Sequence, residues 1–73
     1  MKVHFTPAFH DELNLALDGE IATNGIVNIP RLAEEIRLRH EQLNIALEDI
    51  VGELMRRALA RNAVMEFDAA PAS

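Results

Sequence analysis

Residues 30–62 read PRLAEEIRLRHEQLNIALEDIVGELMRRALARN, and the architecture turns on whether this stretch forms one helix or two. No residue within it breaks a helix outright. Ala33, Ile36, His40, Leu43, Leu47, Ile50 and Leu54 alternate spacings of four and three, a heptad-like stripe. Taken literally, the stripe predicts one helix from about residue 30 to residue 61, a rod of roughly 45 Å. Such a rod overhangs a small domain unless a second chain pairs with it, so this alternative implies a coiled-coil-like dimer. The reading we favour breaks the helix at residues 41–44. Asn44 then caps a last helix whose first turn holds Glu48 and Asp49, where acidic side chains suit the positive helix end.

Either way, Leu47, Ile50, Val51, Leu54 and Ala58 make the principal buried face of the last helix. At about 100° per residue, Ile45, Met55 and Leu59 widen that apolar arc beyond what one contact needs, and Gly52 lies alongside. Glycine inside a helix costs about 1 kcal/mol relative to alanine. Gly52 therefore marks either the close approach of another backbone or a tolerated surface position. Ile45, Gly52, Met55 and Leu59 are the candidate oligomer or partner interface.

Upstream of this stretch, Asn24-Gly25 is the clearest turn signal, since both residues tolerate positive φ. A β-branched strand over residues 26–29 follows it, with Asn28 as helix cap and Pro30 in the first turn. Thr6-Pro7 reads as an earlier helix start, with Phe9, Leu13, Ala16 and Leu17 at helical spacing. Gly19 is expected to loosen or end that helix, although Ile21 and Ala22 can add a turn. In residues 1–5, Val3 and Phe5 alternate with Lys2 and His4, a short strand pattern. Downstream, Asn62 ends the last helix, and Val64, Met65 and Phe67 predict a final strand with Glu66 turned outward.

The expected fold is therefore α+β and mainly helical: three helices with a small two- or three-stranded antiparallel sheet. It forms a single domain over residues 1–68, followed by a flexible tail over residues 69–73. The order strand, helix, strand, helix, helix, strand resembles a winged helix across residues 26–67. Leu32-Ala33-Glu34-Glu35-Ile36 stands where the first helix of a helix-turn-helix carries a similar Leu-Ala run. The chain departs from that pattern at Arg37, where the sharp turn usually carries glycine. The resemblance implies a DNA-binding transcriptional regulator with residues 44–62 entering the major groove.

Charge opposes that use. The formal net charge is −5, whereas phosphate contacts call for a basic surface. Residues 1–30 carry one Lys against four acids, and residues 31–62 carry six Arg against six acids. Glu48 and Asp49 occupy the start of the would-be recognition helix. Arg56, Arg57 and Arg61, near its end, are explained by the macrodipole and by a Glu53–Arg57 pair four residues apart. Arg31, Arg37 and Arg39 remain as a possible basic edge and are the candidate nucleic-acid contacts of this alternative.

Catalytic chemistry has little to work with. The chain holds no Cys and no Tyr, its sole Ser is Ser73, and Thr6 and Thr23 fall at cap and turn positions. The pairs Glu34-Glu35 and Glu48-Asp49 read as solvated helix faces, and the three glycines are isolated, so no phosphate loop is present. His40 lies on the apolar stripe and reads as a boundary residue with one wet edge near Glu41, or as a pH-sensitive contact. His4 and His10 read as surface residues. No catalytic, cofactor or metal site is expected.

With 73 residues, of which 49% are hydrophobic and 26% charged, the chain should fold, but with a thin stability margin. Disulfides are excluded for want of cysteine, and metal is unpromising, so association with another chain is the remaining supplement, most simply a two-fold dimer. No run approaches the roughly 20 apolar residues of a membrane span, and residues 1–5 lack secretory-signal character, which makes the cytoplasm the expected location. The function expected is a non-catalytic protein-protein interaction or regulatory module.

Overall fold

A computed structural model describes residues 5–67 of the chain. The first helix begins where Thr6 and Pro7 place it. The Thr6 hydroxyl oxygen accepts the Phe9 backbone N–H at 3.1 Å, and Pro7 stands in the first turn, where its missing donor costs no hydrogen bond. α1 spans Pro7–Asn24. It continues through Gly19, contrary to expectation. A single exposed glycine costs only about 1 kcal/mol, and Ile21, packed against the core two residues later, offsets it. The helix ends at Gly25, whose φ of 74° lets its N–H donate back to the Ile21 carbonyl at 2.9 Å.

β1 (Ile26–Asn28) leads straight into α2 (Ile29–Arg39). Asn28 serves both, since its Oδ1 accepts the Arg31 backbone N–H at 3.2 Å. The backbone leaves the helix at His40 and makes one 3-10 turn over Glu41–Leu43. It then reverses at Asn44, whose φ of 55° is left-handed. The single long helix is thereby overturned in favour of the break. The molecule measures 30 × 30 × 20 Å along its principal axes, too short to hold a rod of roughly 45 Å.

Asn44, however, does not cap the next helix. α3 spans Leu47–Ala60 after Ala46, a residue without a side-chain acceptor. Glu48 and Asp49 in its first turn supply the compensation instead, by favourable interaction with the helix dipole. At the other end Asn62 takes a φ of 55°. Its N–H donates to Leu59 O at 3.0 Å and the Ala63 N–H to Ala58 O at 2.9 Å, the paired bonds of a Schellman termination.

β2 (Val64–Glu66) pairs with β1 in the register Ile26↔Val64, Val27↔Met65 and Asn28↔Glu66, and the pairing is parallel. This corrects the expected antiparallel sheet, and the winged-helix order fails with it. A wing is an antiparallel pair, whereas these strands are joined through both α2 and α3. A parallel pair requires a crossover of a dozen or more residues, which residues 29–63 supply. The Asn28 Nδ2 donates to Glu66 Oε1 at 3.5 Å across the register. Phe67 follows the strand and is exposed. Of the strand expected over residues 1–5, only Phe5 is described. It lies outside any strand, with its ring 5.1 Å from that of Phe9. The expected tail over residues 69–73 lies outside the described residues.

The core gathers Phe9, Leu13 and Leu17 of α1, Val27 of β1, Ile29, Leu32, Ala33 and Ile36 of α2, and Ile50, Leu54 and Ala58 of α3. No polar or charged residue among those described is buried with them. The spacing of four along α1 sets one residue per turn against the other helices. Two three-residue strands would be marginal by themselves. Full burial of Val27 between them and the helices ties the sheet to the core.

Candidate interaction surface

The two flanks of α3 differ in kind. Taking Leu54 as the centre of the buried face, Glu53 and Arg57 lie about 60–100° round the helix on one side, and Val51, Met55, Leu59 and Gly52 about 60–160° on the other.

The polar flank is occupied by α1. Arg57 donates to Asn14 Oδ1 at 3.1 Å and to Glu53 Oε1 at 3.1 Å, and also bonds His10 Nδ1. A guanidinium only donates, so the His10 Nδ1 is the accepting side of that contact. Arg61 bonds Asp18 Oδ1 at 2.7 Å and Asn14 Oδ1 at 3.3 Å. Both arginines thus fasten α3 to a row of α1 side chains spaced four apart. The Glu53–Arg57 pair read from the sequence is present, yet the same guanidinium does more than balance the macrodipole. His10, expected at the surface, is half-buried by this contact.

The apolar flank is only partly covered: Val51 and Met55 pack against the core. Leu59 is 62% exposed, while Met55, Val51 and Gly52 are half-buried. A Cβ built at Gly52 would meet nothing within 4 Å, so among the described residues no other element's backbone approaches it. Ile45 stands apart from these four, half-buried in the loop before α3. It borders an open depression with Arg37, His40, Asn44 and Leu47. Leu47, placed by periodicity on the buried face, is 36% exposed at the overhanging first residue of α3. The structure therefore brings Gly52, Met55 and Leu59 onto one helix flank, with Ile45 and Leu47 at its N-terminal end.

The candidate basic edge is divided. Arg31 pairs with Glu35 at 4.0 Å, Arg37 with Glu34 at 2.6 Å and Arg39 with Glu12 at 3.7 Å. The hydrogen bond and charge of Glu34 raise the pKa of Arg37, holding it charged. Arg37 and Arg39 point about 160° apart on α2, so the three arginines share no face. His40 keeps one wet edge as expected, but its carboxylate neighbour is Glu12 of α1 rather than Glu41. Its Nε2 lies 3.3 Å from Glu12 Oε2, outside hydrogen-bonding geometry, and its ring meets Phe9 edge-on at 5.3 Å.

Between α1 and α2 runs an open groove of about 520 Å3, lined by Leu15, Ala16, Gly19 and Leu32 together with Glu12, Glu20, Glu35 and Arg39. Three carboxylates against one guanidinium, itself paired with Glu12, leave it acidic and unsuited to phosphate or nucleotide. Among the described residues, no group of three or more His, Cys, Asp or Glu is placed to hold a metal ion. Nor is any helix there long and apolar enough to cross a membrane. Compared with protein-family models, curated proteins and solved structures, the chain finds no match in any of the three.

Proposed function

We propose that this chain is a non-catalytic interaction module of the cytoplasm that acts as a small homo-oligomer, most simply a two-fold dimer, in a regulatory or adaptor role. The observation that carries the reading is the asymmetry of α3. One flank is engaged by His10, Asn14 and Asp18, while the other leaves Leu59 exposed beside Met55 and an open Gly52, with Leu47 exposed at the N-terminal end of the helix. A chain this small has a thin core, and covering that flank with a second copy adds burial that the monomer lacks. The alternative, a DNA-binding regulator, is disfavoured by the paired arginines of α2 and by Glu48 and Asp49 at the start of α3.

Sedimentation equilibrium tests the reading. The chain is expected to weigh as a dimer at high concentration, with a melting temperature that rises with concentration. Leu59→Glu, which would bury an unpaired charge in the contact, should raise the dissociation constant about a hundredfold while leaving the helical circular dichroism intact. A particle of single-chain mass at high concentration would overturn the proposal.

A further inference from the structure

We propose that two copies of this chain pair through α3 in antiparallel fashion, crossing at Gly52. This geometry rests on the homo-oligomer reading above. Glu48 is exposed in the first turn of α3 and has no ion-pair partner among the described residues. Arg56 is 72% exposed and pairs only loosely, at 3.3 Å, with Glu53, a carboxylate that Arg57 also holds. Glu48 and Arg56 stand four residues to either side of Gly52. They are two turns, about 12 Å, apart on one chain and cannot pair within it.

An antiparallel pair centred on Gly52 brings residues equidistant from it to the same level. Arg56 then meets the partner's Glu48, and the two-fold axis repeats that contact on the other side. Leu59 is carried to the N-terminal end of the partner's α3, where Ile45 and Leu47 offer apolar surface. A parallel pair would instead set Glu48 on the partner's Glu48 and Arg56 on the partner's Arg56, two like-charge contacts that oppose association. At the crossing itself, the missing side chain lets the two backbones approach, and no described residue fills that space.

Two measurements test the geometry against the oligomer reading. The chain has no native cysteine, so Gly52→Cys introduces one thiol at the proposed axis, where the Cα separation of a disulfide, about 4.4–6.8 Å, is attainable. Mild oxidation should link it into a covalent dimer, while Glu35→Cys on α2 stays unlinked. In sedimentation, E48R and R56E should each weaken the dimer about tenfold, and the E48R/R56E double variant should recover to within about threefold of the parent. A parent that sediments as a dimer while Gly52→Cys remains reduced and the double variant fails to recover would overturn the antiparallel geometry and leave the oligomer standing. A parent of single-chain mass would overturn both.

Discussion

Replacing Arg57 with methionine keeps most of the aliphatic stem and removes the guanidinium that joins α3 to α1. The side chain is only 18% exposed, so its hydrogen bonds to Asn14, Glu53 and His10 are little screened by solvent. Net contributions of about 0.5–1.5 kcal/mol per bond put the gross loss at roughly 3 kcal/mol. Part of it is recovered, because Arg56 still reaches Glu53 and Arg61 still reaches Asn14 at 3.3 Å. The expected destabilisation is about 2 kcal/mol, which for a domain of this size lowers the melting temperature by about 8–16 °C. Urea unfolding followed by circular dichroism at fixed protein concentration reads it as a shift in midpoint without a change in slope. A double-mutant cycle with Asn14→Ala should return a coupling of about 1 kcal/mol. A loss under about 0.5 kcal/mol with no coupling would refute the assignment of Arg57 as a structural tie.

Gly19 within α1 and Gly25 just after it should respond with opposite signs to alanine. Gly19→Ala, in a helix interior where a Cβ meets nothing within 4 Å, is expected to stabilise by about 1 kcal/mol. Gly25→Ala, at a φ of 74°, should destabilise by about 1 kcal/mol, and thermal melts of the two variants check the contrast. Leu54→Ala opens a cavity in a fully buried position and should cost about 3 kcal/mol, measured by urea unfolding. Fluorescence anisotropy of a mixed-sequence duplex at low salt should show no saturable binding. Binding that weakens steeply with added salt would instead turn attention to Arg31, Arg37 and Arg39.

Much of the fold was legible because its signals are local. Thr6, Asn28 and Asn62 mark helix ends through their own side-chain or backbone preferences. The apolar spacing identified Phe9, Leu13, Leu17, Ala33, Ile36, Ile50, Leu54 and Ala58 of the core but missed Ile29 and Leu32, and it wrongly drew in the exposed Leu43 and Leu47. The break after α2 was readable as well, though not its mechanism. Asn44 competes equally well as a helix cap and as a left-handed residue, and only the path of the chain between two packed helices selects the second. Of the candidate interface, Gly52, Met55 and Leu59 followed from the width of the apolar arc. Ile45 came from the same arc but sits in the loop before α3, and Leu47 was read as buried, because position at a helix end, not periodicity, governs its exposure.

By itself, the sequence carried the mainly helical character, the caps at Thr6 and Asn28, much of the apolar faces and the acidity that argues against nucleic acid. Each depends on residues within a turn or two of one another. The direction of the sheet belonged to the tertiary structure alone. Strands of three residues carry too little pattern to specify a pairing, and β2 runs parallel to β1 because α2 and α3 together return the chain to the same end. The fate of the arginines was decided in the same way. Nothing in the spacing of Arg57 and Arg61 shows His10, Asn14 and Asp18 waiting across the core, since ion pairs between distant segments exist only once packing has set the two helices side by side.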